Sequence, residues 1–128
     1  MLLPDIANKL QGLGIGTKGA DLFMGTMPDM PDNLIALYEY PGEGRSLAWN
    51  STTREAPNLQ VLVRNKSYDA GRTKIEQIVN ALHGLANTTL GTTIYLLIKA
   101  IQSPGLLTRD SSNRAIFVVN FSINKEVG

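Results

Sequence analysis

The sequence predicts an α+β fold: a single domain over residues 1–128, with an antiparallel or mixed β-sheet packed by one long amphipathic helix and a short N-terminal helix. Three observations carry that expectation. Ile75, Ile78, Val79, Leu82 and Leu85 recur at helical spacing, one stripe for a core and the rest for solvent. Leu59, Val61 and Val63 alternate with polar neighbours, and so do Phe117, Val119, Phe121 and Ile123, the signature of half-buried strands. The elements run helix, strands, helix, strands, without the regular alternation of a parallel βαβ sheet. A chain of 128 residues buries roughly two thirds of its unfolded surface, enough for one core.

Pro4 and Asp5 suit a first helical turn, and Ile6, Leu10 and Leu13 share a face, so Pro4 to Gln11 reads as a short helix ended by Gly12 and Gly14. A brief strand within Asp21 to Met27 stops at the turn formers Pro28, Asp29, Pro31 and Asp32. Asn33 to Tyr40 reads as a strand with Leu34, Ala36 and Tyr38 on one side and Ile35, Leu37 and Glu39 on the other. From Pro41 to Asn58 periodicity vanishes, which predicts a loop of about eighteen residues, a length whose usual reason is function. The strand at Leu59 leads to Ser67, placed to cap the long helix, and Asp69, placed near its positive end. Gly91, between two Thr-rich arms, marks a tight hairpin opening a strand from Thr92 to Gln102. Ser103 to Arg114 reads as a second polar connection. Ala115 to Ile123 closes the fold, paired with the Thr92 strand as a long antiparallel ribbon.

Several functions are disfavoured by what the chain carries. Twelve Lys and Arg against eleven Asp and Glu leave a formal charge of +1, too little field to hold a nucleic acid as primary partner. There is no cysteine, so thiolate catalysis and sulfur-ligated metals are excluded. MLLPDIANKL lacks the basic and apolar regions of a signal peptide, and no apolar run approaches the ~20 residues of a membrane span, so a soluble chain with no membrane partner is expected. Gly14, Gly16 and Gly19 satisfy a dinucleotide-binding spacing, but they follow a helix where the fingerprint needs a strand, and they read as a flexible connection. His83 is the sole histidine and suits the negative end of the helix dipole. The carboxylates are dispersed. No catalytic residue, cofactor or metal site is expected, and an enzyme is not the reading.

Two features point instead to partner surfaces. The stretch Ile94 to Ile101 is apolar on both faces, so either the two helices cover opposite faces or a neighbouring subunit covers one. The long loop carries Tyr40, Arg45 and Trp49, residue types that often anchor interfaces, although Trp49 could equally fold back as a lid on the core. The candidate contact residues are Tyr40, Arg45, Trp49 and Arg54 from this loop, with Leu106 and Arg109 from the second connection.

Four segments, LQGLGIGTKGADLF, MPDMPDNLIALYEYPGE, NLQVLVRNKSYDAGRTKIEQIVNALHGL and IYLLIKAIQSPGLLTRDSSNRAIFVVNF, together span nearly the whole chain. In them the sequence resembles the small bacteriophage minor capsid proteins that look like tail terminator, or tail completion, proteins of long-tailed phages and prophages. The resemblance implies a virion protein, assembled in the host cytoplasm, that forms a homo-oligomeric and hexameric ring. Such a ring caps the tail tube, stops its polymerisation and joins it to the head-tail connector. It also implies passage of the genome through a lumen, which Lys66, Arg72, Lys74, Lys99, Arg109 or Arg114 would line without tight binding. The alternatives are a head-closure or neck protein of the same connector, a nucleotide-binding enzyme, and a sheet-based RNA binder whose basic and aromatic motif is missing here.

Overall fold

The computed structural model describes residues 1–46 and 54–126. Helix α1 (Leu2–Gly12) precedes strands β1 (Leu22–Met24), β2 (Leu34–Ser46) and β3 (Arg54–Asn65); helix α2 (Tyr68–Leu82) precedes β4 (Ala86–Leu90), β5 (Thr93–Ala100), β6 (Gly105–Arg109) and β7 (Ala115–Glu126). The class is α+β, as the periodicities predict. The strands form one sheet in the order β1-β2-β3-β7-β5-β4, with β6 also paired to β7. Only β1 and β2 run parallel; the other pairings are antiparallel.

Both helices pack on the same face of this sheet. The face carries Ile35, Leu37, Leu59, Val61 and Val63 and continues through Phe117, Val119, Phe121 and Ile123, all buried in one cluster with Ile6 and Leu10 of α1 and Ile75, Ile78 and Leu82 of α2. Ser67 caps α2 as expected, its hydroxyl accepting the Ala70 N–H at 3.3 Å, with Asp69 in the first turn. The two helices therefore do not cover opposite faces. The far face keeps a cover of its own only at one end, where Arg64 lies under the Pro28 to Asp32 segment. Its guanidinium donates to the carbonyl oxygens of Pro28, Asp29, Pro31 and Asp32 at 2.7 to 3.1 Å.

The two predicted loops are the main correction. Both ends of Pro41 to Asn58 continue β2 and β3 as a ribbon, with Tyr40 opposite Asn58, Glu43 opposite Ala56 and Ser46 opposite Arg54, and with two shifts of register on the way. The ribbon has left the core, so no alternation of apolar residues marks it, and its backbone ladder holds it extended. Gly42 is required here: a Cβ on it would lie 1.8 Å from the Ala56 carbonyl oxygen. Residues 47–53, Trp49 among them, lie outside the described residues.

Ser103 to Arg114 likewise contains β6, with Gly105 opposite Val118 and Arg109 opposite Ala115. A bulge between Leu106 and Thr108 hides the period. With Ala100 opposite Phe121 and Ile101 N–H bonded to the Asn120 carbonyl at 2.8 Å, β5 and β6 act as one interrupted strand along β7. That is the long ribbon the sequence predicts, with its hairpin turn at Asp110 to Arg114.

Candidate assembly surface

The sheet sorts the predicted contact residues into two groups. Tyr40 is half-buried on β2 and Arg54 is exposed at the start of β3, opposite Glu126 at the far end of β7. Arg45 belongs to β2. Leu106 and Arg109 are exposed on β6, opposite Phe117 and Ala115 at the beginning of β7. The two groups thus lie on opposite sides of β7 and toward opposite ends of it, separated along the strand by roughly 17 Å from Tyr40, level with Ser122, to Leu106, and by roughly 35 Å from Arg54 to Arg109, at about 3.3 Å per residue. They form two patches at diagonal corners of the sheet, not one site.

Between them the far face is open and mixed, with Gln60, Asn120, Ser122 and Lys99 sharing it by register with exposed apolar side chains of β5. Ile94, Leu97 and Ile101 are 39%, 42% and 55% exposed, and Leu107 is 56% exposed beside Leu106. Ile94 and Leu97 were visible in the sequence as the outer half of a two-sided apolar strand. Leu107 was not, because the segment around it reads as a polar connection.

The charged residues are mostly engaged in holding the fold. Arg114 is 5% exposed, and its guanidinium bonds Asp110 at 2.7 Å, Asp29 at 3.0 Å and Asp32 at 3.1 Å. It cannot line a lumen, which corrects the expectation from family resemblance. The Arg114 backbone N–H, followed by its guanidinium, lowers the Asp110 carboxyl below its ordinary value. The Lys66 ammonium at 3.1 Å, with Arg114 behind it, does the same to Asp32. Arg72 bonds Glu76 at 3.0 Å and the Pro104 carbonyl at 2.8 Å, and Lys74 bonds the Ile15 carbonyl at 3.0 Å. Lys99 and Arg109 are exposed, and among the described residues the Arg109 guanidinium donates to the Asn113 carbonyl at 3.1 Å.

The motifs that suggest chemistry are structural in their geometry. In the Gly14 to Gly19 connection the Thr17 N–H donates to Asp21 at 2.7 Å, the Lys18 N–H donates to Gln11 at 2.9 Å and the Lys18 ammonium meets Asn8. The donors a phosphate would need are already used. His83 stands at the C-terminal end of α2, where its Nδ1 accepts the Ala100 N–H at 2.9 Å and ties the helix end to β5. Lys125, only 2% exposed, pairs with Glu55 at 2.5 Å where the ribbon leaves the sheet. Among the described residues no three His, Asp or Glu side chains are grouped so that they could hold a metal ion.

What this geometry offers is contact surface. Residues 9–127 match the family described as bacteriophage tail terminator protein. The chain belongs to that family. Among solved structures, a chain of the virion of a native gene transfer agent particle shares the fold, with a TM-score of 0.69 over 98% of this chain and 95% of that one, at 11% identity. A comparison with curated protein sequences finds no match. The family makes this terminator-family chain a structural protein of a phage tail and so of the virion.

Proposed function

We propose that the chain is the tail terminator itself: its copies close into a hexameric ring on the head-proximal end of the tail tube, stop tube polymerisation and meet the head-tail connector. The observation that supports this most directly, beside the family, is the pair of unlike patches at diagonal corners of the sheet. A closed ring is a head-to-tail assembly, and each subunit of it needs two different complementary surfaces. The exposed apolar side chains Ile94, Leu97 and Ile101 on the open face suit cover by another protein, since such groups of side chains are seldom left in water. An enzymatic role has no support in the geometry, because the titratable side chains near one another are tied into pairs that hold strands and turns.

Native mass spectrometry of the chain, alone and with the tail-tube protein, tests the ring. One closed stoichiometry in either condition is the expected result. A monomer in both overturns the ring.

A further inference from the structure

Each of the two corner patches also lies where the sheet is left unfinished among the described residues. β1 pairs with β2 only from Leu22 opposite Ile35 to Met24 opposite Leu37, so from Tyr38 onward the outer edge of β2 faces no strand among the described residues. β4 covers β5 from Ala86 opposite Leu97 to Leu90 opposite Thr93, but no described strand lies beyond β6. Each free edge presents backbone donors and acceptors in a row, and an uncovered strand edge flanked by apolar side chains is a template for adding a strand. β6 has those side chains in Leu106 and Leu107, 46% and 56% exposed.

We infer that β6 accepts the outer edge of β2 from a second copy of this chain, so that neighbouring subunits share one continuous sheet. This rests on the ring reading and specifies its joint. The occupant follows from three observations. The two free edges lie on opposite sides of β7 and at opposite ends of it, so one copy's donor edge cannot reach its own acceptor edge. The ribbon that carries the donor edge projects from the core, with Pro41 and Gly42 exposed. The charges match: Glu39 on β2 and Arg109 on β6 are both exposed, both lie on the helix-bearing face by their register with Leu59 and Ala115, and neither forms a salt bridge among the described residues. A shared sheet continues that face from one subunit to the next and brings the pair together. The contact is heterologous, as a ring requires.

The absence of cysteine makes the joint directly testable. Tyr40→Cys protein and Thr108→Cys protein, both sites lying on the far face by register with Asn58 and Ile116, are mixed with the tail-tube protein and treated with a short bis-maleimide. Native mass spectrometry of the same mixture reports the oligomer. An oligomer whose links are predominantly between positions 40 and 108 of different copies is the expected result. An oligomer without that enrichment overturns the joint and leaves the ring standing. Links from either position to the tube protein show that the edges serve the tube, and overturn the second copy as occupant. A monomer with no links overturns the ring and the joint together. Charge reversal guards against a misfolded variant: Glu39→Lys and Arg109→Glu should each weaken assembly about tenfold, and the double variant should recover it. Loss in the double variant as deep as in the singles, with an unchanged melting temperature, contradicts the pairing.

Discussion

Tyr95 donates its phenolic hydrogen to Asp5 Oδ2 at 2.7 Å, joining the middle of β5 to the first turn of α1. The same carboxylate oxygen meets the Met1 ammonium at 3.3 Å, and Gly91 leaves room for it: a Cβ there would lie 2.6 Å from Asp5 Oδ1. The hydrogen bond fixes the short helix against the sheet beside its own buried stripe of Leu2, Ile6, Ala7 and Leu10.

Tyr95→Phe should therefore lower stability by about 1 to 3 kcal/mol, because the buried Asp5 oxygen loses the shorter of its two donors, keeping only the Met1 ammonium, while the ring packing survives. Burial, and then the Asp5 hydrogen bond, push the Tyr95 phenol well above its ordinary value of 10.0. A raised value means that the folded state holds a proton the unfolded state releases, so this contribution is complete below pH 10 and is lost as the pH rises beyond it. Urea melts between pH 9 and 11 should show falling stability for the parent and a shallower slope for Tyr95→Phe.

The acid side has the opposite sign. Asp110 and Asp32 are held below their ordinary value of 3.8, so they stabilise the fold above that pH and cease to do so as the pH falls through their folded values. Asp110→Asn should lower the urea midpoint at pH 7 and flatten the decline between pH 5 and 2, since Arg114 then keeps only Asp29 and Asp32.

Gly71 shows how tightly α2 sits on the sheet. A Cβ at this position would lie 2.7 Å from Phe117 Cε2 and 3.1 Å from Asn65 Cβ. Gly71→Ala should cost about 1 to 3 kcal/mol by overpacking despite the better helix propensity of alanine. Gly12→Ala is the control. Nothing lies within 4 Å of a Cβ there, and the change should be neutral or stabilise by up to about 1 kcal/mol, as thermal melts would show.

The core was legible where burial imposes a period. Ile75, Ile78 and Leu82, the odd positions of β3 and β7, and the Ser67 cap all stand where the spacing puts them. What was not legible is strand held by backbone pairing alone. The ribbon around Pro41 and Gly42 and the bulged β6 carry no alternation, because neither side of them meets the core, and both read as loops. Arg64, in β3, and Arg114, just before β7, were hidden for a related reason: a charged residue there reads as solvent-facing until the chain that covers it is seen to supply acceptors, Pro28 to Asp32 for both and Asp110 for Arg114. The candidate contact residues were recognisable by type, but their division into two distant patches came from the register of β7.

Leu97→Lys and Ile101→Lys test whether the open face is an assembly surface. Both side chains are exposed in the isolated chain, so stability should stay within the range of about ±0.5 kcal/mol expected of surface changes. Oligomerisation with the tail-tube protein, followed by sedimentation velocity, should nevertheless weaken. Undiminished assembly of both variants would remove this face from the interface.

The length of tails made without this protein tests the terminator role most directly. Electron microscopy of particles from a phage or prophage deleted for this gene should show overlong tails with a broad length distribution and no attached heads, restored to one length by the gene supplied in trans. Tails of normal, uniform length beside unattached heads would contradict a terminator and assign the chain to closure of the head.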